Sequence, residues 1–205
     1  MNRYYDSHFD KQIVTIYPGE FYSTSESEMI STVLGSCISI ALFDADAQIG
    51  GLNHFMLAKD SRIEGDYGEK LMGKFGEYAI ELLIKDLVEK GARISRLSAK
   101  VFGGGNIFNL PSNVGSQVGE ANSRFAFEFL QQKNIPVLSQ NTGGPHSRKI
   151  FFDPLTGKVF MKFINRTVVD NNIAADLAAD LMEKEKKYAE KIEKIEFARV
   201  RDLFA

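Results

Sequence analysis

Cysteine and tryptophan are the scarcest residues of this 205-residue chain, which contains one cysteine, Cys37, and no tryptophan. A lone thiol excludes an internal disulfide and so favours a reducing compartment. No segment approaches the roughly 18 uninterrupted apolar residues that a membrane-spanning helix requires. The N-terminal stretch MNRYYDSHFDKQ is polar and lacks the apolar centre of a signal peptide. We therefore expect a cytoplasmic protein that does not insert into a membrane.

A large excess of charge is also missing, because the formal net charge is −2 at pH 7. This balance provides no bulk attraction to nucleic acid, so we expect no nucleic-acid partner. Neither His8 nor His146 has a second histidine or a cysteine at ligand spacing, so we expect no metal site and no cofactor. The glycine-rich stretch FGGGN at 102–106 lacks the residues of a phosphate-binding loop and is typical of a structural turn or of a loop lining a cleft.

The chain does have what a globular domain needs, since 44% of its residues are apolar. Alternating strand patterns and two segments of helical periodicity predict an α+β fold rather than a βαβ ladder. The predicted strands are 12–17, 36–44, 48–57, 94–102 and a strand with a turn at 135–144, and the predicted helices are 69–90 and 115–133. The segment 23–29 is predicted to be a polar loop, and a final hairpin at 148–164 turns at 153–157.

The last segment differs in composition, because residues 172–201 are rich in Ala, Glu and Lys with apolar residues at helical spacing. We divide the chain into a domain at 1–168 and a C-terminal helical extension at 169–205. The narrow apolar stripe is typical of a solvated helix packed on a domain. A docking or dimerisation element is the alternative, which leaves oligomerisation through this helix open.

Cys37 and His54 are the residues most able to carry chemistry. A lone intracellular cysteine is most often a small buried hydrophobe, but Gly35 and Ser36 place an unhindered turn directly before this one. If the hairpin turns at 44–47, Cys37 and His54 become cross-strand neighbours, with Cβ atoms about 4.5–5.5 Å apart when directly opposed. The imidazole would then take the thiol proton and form a thiolate–imidazolium pair beside an open cleft.

A third group should orient the imidazole, and Ser31 and Thr32 lie just upstream of the cysteine. A hydroxyl or a backbone carbonyl there can accept a hydrogen bond from the ring. Composition alone favours the plainer interpretation, in which both residues are ordinary members of a strand edge.

Five segments, in order from about residue 30 to 160, carry a resemblance to a known family: STVLGSCISIALFD, IGGLNHFMLA, AKVFGGGNIF, VGEANSRFAFEFL and NTGGPHSRKIFFDPLTGKV. Together they resemble the chemoreceptor glutamine deamidases, the CheD family of bacterial chemotaxis. The resemblance implies a layered α/β sandwich of mixed sheets with flanking helices, similar to the catalytic domains of deamidating toxins. It also implies a cysteine amidohydrolase that converts receptor glutamine side chains to glutamate through a thioester.

By matching position, the resemblance makes Cys37 the nucleophile and His54 the general base. The resemblance implies a threonine as the third catalytic residue of the family. The matching position in this sequence is Ser31, whose hydroxyl can keep the orienting hydrogen bond. Thr32 is expected on the opposite face of the strand. The implied partners are chemoreceptor cytoplasmic helices as protein substrate and a CheC-type phosphatase.

Two other functions fit the same residues. The first is an adaptor that binds the phosphatase with weak or no turnover. The second is another cysteine acyl-transfer reaction, either transamidation with an amine acceptor or hydrolysis of a receptor methyl ester.

Overall fold

The computed structural model describes residues 1–56, 66–106 and 115–164. The strands of these ranges are β1 (Asn2–Asp6), β2 (Lys11–Thr15), β3 (Phe21–Thr24), β4 (Glu28–Leu34), β5 (Ile38–Asp44), β6 (Ile49–Asn53), β7 (Ser98–Gly103), β8 (Val137–Thr142), β9 (Ser147–Phe152) and β10 (Val159–Ile164). The helices are α1 (Asp66–Glu89) and α2 (Gly115–Gln132), with a 3-10 turn at Ile94–Arg96. The helical extension predicted at 169–205, with its boundary at 168, lies outside the described residues.

The ten strands form two five-stranded sheets. The first sheet has the order β1-β2-β4-β9-β10 and the second the order β3-β6-β5-β7-β8. Both are mixed, because β2 runs parallel to β4 and β7 runs parallel to β8, while the other neighbours are antiparallel. The predicted α+β class with mixed sheets is confirmed.

Two apolar cores divide the molecule into three layers. Buried residues of both sheets, among them Ile30, Ala41 and Phe152, form the core between the sheets. A second core joins the other face of the second sheet to α1 and α2. Every residue of β5 is buried, since this strand has a core on each face.

The structure confirms the long elements of the sequence prediction. Helix α1 begins three residues before the predicted start and ends before Gly91, which has a left-handed φ of +106°. The predicted final hairpin is β9 and β10, closed by the Asp153–Gly157 turn. No helix among the described residues is long and apolar enough to cross a membrane.

The sequence patterns missed three strands. The polar segment at 23–29 was predicted to be a loop, but its two ends belong to β3 and β4. The N-terminal segment also contains a strand, β1, which pairs with β2 at the edge of the first sheet. The N-terminal segment is polar because β1 is an edge strand, and the polar start of β4 is accommodated because Glu28 is bonded to Arg3 and Tyr22, so neither segment shows the apolar pattern of a core strand.

Candidate active site

Cys37 lies in the short turn between β4 and β5, and hydrogen bonds hold this turn on one side. The carbonyl oxygens of Gly35 and Cys37 accept from the backbone N–H groups of Gly105 (2.7 Å) and Gly104 (2.8 Å). The carbonyl oxygen of Ser36 accepts from Nδ2 of Asn122 on α2 (2.9 Å). Because the described chain has no cis peptide bond, the N–H of Ser36 points away from Gly105 of this glycine loop, and the N–H of Cys37 points away from Asn122.

The FGGGN stretch is the structural turn that supports Cys37. A Cβ atom on Gly103 would lie 2.1 Å from the carbonyl oxygen of Cys37, and one on Gly104 would lie 2.2 Å from Oγ of Ser123. Both glycines have left-handed φ values, +115° and +63°. Only glycine allows the backbone of this loop to approach the cysteine turn so closely.

His54 follows β6, and the hairpin predicted for β5 and β6 is confirmed. Its antiparallel register extends to a bridge between Ile38 and Phe55. In this register Ser39 lies opposite His54, so the directly opposed pair of cysteine and histidine is not formed. Cys37 lies diagonally from His54, on the same face of the sheet, because side chains two residues apart along a strand share a face.

The hairpin is opened locally just before His54. The N–H of Ile40 donates to Oδ1 of Asn53 (2.8 Å) instead of to a backbone carbonyl, and Oγ of Ser39 donates to the carbonyl of Asn53 (2.5 Å). The backbone of His54 faces the other way and continues the β3–β6 pairing, through bonds to residues 19–20 (2.7 and 2.9 Å). These side-chain bonds position the histidine backbone between the hairpin and the segment before β3.

Thr32 of β4 holds the imidazole and determines its tautomer. Oγ1 of Thr32 lies 2.9 Å from the carbonyl oxygen of Ile16 and 2.8 Å from Nδ1 of His54. The carbonyl can only accept, so the single hydroxyl proton of Thr32 is donated to Ile16. The hydroxyl therefore accepts from Nδ1–H of His54, which leaves Nε2 as the basic nitrogen. Nε2 is buried and has no hydrogen-bond partner in the described part of the chain.

The expected placement of Ser31 and Thr32 is wrong. Both residues are buried and they face opposite sides of β4, as expected, but Thr32 is the one that faces His54. The hydroxyl of Ser31 is buried without a hydrogen-bond partner among the described residues. The reason is the phase of β4, since Ile30, Thr32 and Leu34 point into the space between the sheets.

Burial also changes the expected charge state of the pair. Cys37 and His54 are 0% and 1% exposed, so the thiol does not line an open cleft as we expected. Desolvation lowers the pKa of His54 from 6.5 to about 3. The imidazole is therefore neutral in this structure, and the expected thiolate–imidazolium pair is not the resting state.

The remaining histidines do not join the site. His146 is exposed in the turn before β9, with its ring beside Phe163, and His8 lies in the turn between β1 and β2. Among the described residues, no group of three or more His, Cys, Asp or Glu side chains could hold a metal ion.

A thiol on a clamped turn, with a neutral and oriented imidazole on the same face, is a pairing suited to nucleophilic attack on a carbonyl group. The family model described as CheD chemotactic sensory transduction matches residues 56–163. This chain therefore belongs to the CheD family. Cys37 and His54 lie before the matched range.

Relatives match over nearly the whole chain. The chain is 41% identical over 173 residues, 82% of each protein, to the probable chemoreceptor glutamine deamidase CheD 1 of Shewanella oneidensis. It is 40% identical over 205 residues to the probable chemoreceptor glutamine deamidase CheD of Thiobacillus denitrificans, covering 99% of this chain and 95% of the relative. A solved structure, the Bacillus licheniformis hypothetical protein YfiH, is 12% identical and matches 61% of this chain and 51% of that chain with a TM-score of 0.36.

Proposed function

We propose that this protein deamidates glutamine side chains of chemoreceptors, with Cys37 as nucleophile and His54 as general base. The observation that carries the proposal is the hydrogen bond between Thr32 and His54, which leaves a basic Nε2 on the face shared with Cys37. The names of the relatives supply the substrate class. A lone cysteine and receptor helices as substrate agree with a cytoplasmic location.

In the first step the sulfur of Cys37 bonds to the side-chain carbonyl carbon of glutamine while its proton passes to Nε2 of His54. Because burial makes a free imidazolium costly, proton transfer accompanies attack and the negative charge moves onto the carbonyl oxygen. The N–H groups of Ser36 and Cys37, directed away from Gly105 and Asn122 respectively, are the proposed donors to this oxyanion. One such donor typically contributes about 2.7–4 kcal/mol to transition-state stabilisation.

In the second step the oxyanion collapses and the carbon–nitrogen bond breaks. The proton on Nε2 of His54 goes to the departing nitrogen, which leaves as ammonia, and a thioester remains on Cys37. Water then gives a proton to Nε2 and attacks the thioester. Cleavage of the carbon–sulfur bond returns the proton to sulfur and releases glutamate, so amide and water become acid and ammonia.

Thr32 acts throughout by keeping Nδ1 protonated. It gives the imidazolium a neutral acceptor, through a hydroxyl whose own proton is held by Ile16. A ring without this partner could present either nitrogen to the thiol, so part of the protein would hold the wrong tautomer. Thr32 is thus the orienting residue of the proposed site.

One observation favours a second candidate. The thiol is 0% exposed, so a glutamine side chain reaches it only after the site opens. An adaptor that binds a CheC-type phosphatase with little turnover needs no such opening. The two functions differ in their dependence on the sulfur.

Mass spectrometry of a receptor cytoplasmic fragment incubated with wild type and Cys37→Ala separates these functions. Deamidase activity predicts the mass gain of amide-to-acid conversion with wild type and none with the variant. Conversion by neither protein, together with equal phosphatase binding by both, would establish the adaptor. Adding a primary amine tests the third possibility, because transamidation would attach the amine in place of that gain.

A further inference from the structure

Arg148 of β9 is a buried cation that forms no ion pair with a carboxylate of the described residues. Its side chain is 0% exposed, and its hydrogen bonds within the described part of the chain go to neutral acceptors. Burial lowers the pKa of this guanidinium. Placing an unpaired charge in the interior is costly, so its hydrogen bonds must offset a large loss of hydration.

All four of these hydrogen bonds go to residues 141–146 and hold that segment around the guanidinium. Nη1 donates to the backbone oxygen (2.5 Å) and to Oδ1 (2.6 Å) of Asn141. Nη2 donates to the carbonyl oxygens of Gly143 and, at 3.2 Å, His146. Arg148 belongs to the first sheet and Asn141 to β8 at the edge of the second. The side chain therefore joins the two sheets at the end where the cysteine turn lies.

The gathered segment is bonded in turn to the glycine loop. The N–H of Gly143 donates to the carbonyl of Gly103 (2.9 Å), and the N–H of Asn106 donates to the carbonyl of Gly144 (2.8 Å). A Cβ atom on Gly105 would lie 3.2 Å from the carbonyl oxygens of both Gly35 and His146, and 3.3 Å from Nη2 of Arg148. The arginine, the loop and the cysteine turn thus meet at Gly105.

We propose that Arg148 is a positioning residue for Cys37. It holds residues 141–146 against the glycine loop, and that loop in turn fixes the two ends of the cysteine turn, the Gly35–Ser36 peptide plane through Gly105 and the carbonyl of Cys37 through Gly104. The inference rests on the proposed function, because the Gly35–Ser36 plane carries the N–H of Ser36, one of the proposed oxyanion donors, and the Cys37 carbonyl belongs to the residue that bears the sulfur. A shift of about 1 Å in such groups can cost about 100-fold in rate.

The chemistry of arginine suits this task and that of lysine does not. A guanidinium presents five N–H groups in a rigid plane, and four of them are used here. A lysine ammonium keeps the charge but cannot bridge acceptors from three residues in the same plane. Arg148→Lys therefore separates the geometric role from the charge.

The test compares Arg148→Lys and Arg148→Gln with Arg96→Gln, measured on folded protein. Arg96 also holds buried structure, through Asp44 (2.7 Å), but at the opposite end of β5 from Cys37. We expect kcat on a receptor fragment to fall about 10- to 100-fold in both Arg148 variants, with KM within about threefold. Arg96→Gln should lower stability while leaving kcat unchanged. A wild-type kcat in Arg148→Lys would overturn the proposal.

Amide hydrogen exchange provides a readout that does not depend on catalysis. Exchange at Gly104 and Gly105 should accelerate at least about 10-fold in the Arg148 variants, while Phe55 keeps its protection. Unchanged exchange at these glycines would overturn the proposal. If wild type converts no glutamine, the proposed function fails and the exchange result alone decides this inference. Asn141→Ala, which removes one acceptor from Nη1, should give a smaller effect of the same sign, and serves if neither Arg148 variant folds.

Discussion

The roles of Ser31 and Thr32 can be separated by substituting one at a time. Both are buried hydroxyl residues of the same strand, so Ser31→Ala and Thr32→Val are matched perturbations at adjacent positions. Thr32→Val keeps the side-chain shape and removes the acceptor of His54 Nδ1–H and the donor to Ile16. Ser31→Ala removes a hydroxyl that makes no hydrogen bond among the described residues.

The structure sets the size of each effect. An unsatisfied buried polar group costs about 1–3 kcal/mol, so Thr32→Val should lower the free energy of unfolding by that amount. A general base contributes about 10²–10⁴-fold to rate, and a misoriented His54 should lose at least about 10-fold of it in kcat. Removing the Ser31 hydroxyl breaks no hydrogen bond to a described residue, so it should be close to neutral for stability and leave kcat near the wild-type value.

The assay is urea unfolding together with the rate of glutamine conversion in a receptor fragment, followed by mass spectrometry. Thr32→Ser, which restores the hydroxyl, is the control and should recover most of the lost rate. A larger rate loss in Ser31→Ala than in Thr32→Val would refute the orientation that we derive for His54.

Three further predictions follow from the charges and close contacts of the described residues. Because burial lowers the pKa of His54 to about 3, the imidazole binds a proton in the unfolded chain before it does in the folded protein. The free energy of unfolding should therefore fall as pH drops from about 6.5 towards 3, by at most about 1.4 kcal/mol per pH unit. The urea midpoint of His54→Gln should fall less over this range, and equal slopes would contradict the burial of this ring. Gly103→Ala should lower both the free energy of unfolding and kcat, because its Cβ would collide with the carbonyl of Cys37. Gly144→Ala has a φ of +75° and open space around it, so its free energy of unfolding should fall by only about 1–2 kcal/mol. A larger loss of stability in Gly144→Ala than in Gly103→Ala would exclude the close approach of Gly103 to Cys37. Burial alone would raise the pKa of Asp44, but the N–H of Arg93 and the guanidinium of Arg96 outweigh burial and lower that pKa. Asp44→Asn should therefore lower the melting temperature at pH 7, lower it less as pH falls through the acidic range, and leave kcat unchanged. A difference in melting temperature that does not depend on pH would contradict this.

Local patterns were enough to predict much of the fold. The helices show strong 3.6-residue periodicity, and the β5–β6 and β9–β10 hairpins combine alternating residues with recognisable turns. The strand β4 could not be recognised in the same way, because its polar residues are satisfied by partners distant in sequence. Glu28, for example, binds Arg3 and Tyr22.

The site was predicted only in part, for a related reason. Spacing alone suggested Cys37 and His54 as neighbours, and the hairpin places them on one face. The choice between Ser31 and Thr32 depends on which face of β4 meets the other sheet, and the direction of the Thr32 hydroxyl depends on the carbonyl of Ile16. No local pattern reveals either. The burial of the thiol depends on the packing of one sheet against the other.

Arg148 was missed although the sequence contains a signal for it. In the segment Arg148–Phe152 the residues Ile150 and Phe152 alternate into the core between the sheets, and Arg148 has the same phase. An arginine at an inward position of a buried strand indicates either an ion pair or a dense set of carbonyl acceptors. The glycine-rich segment before it, TGGPH, supplies such acceptors.

The central claim is that the sulfur of Cys37 becomes acylated by a receptor glutamine, and trapping that species tests it most directly. A receptor peptide is mixed with the protein, quenched in acid after a short interval, and the intact mass is measured. We expect an adduct equal to protein plus peptide less ammonia, located on Cys37, accumulating before glutamate appears and absent in Cys37→Ala. Conversion of the peptide without any adduct, at the same rate in Cys37→Ala as in wild type, would contradict the account.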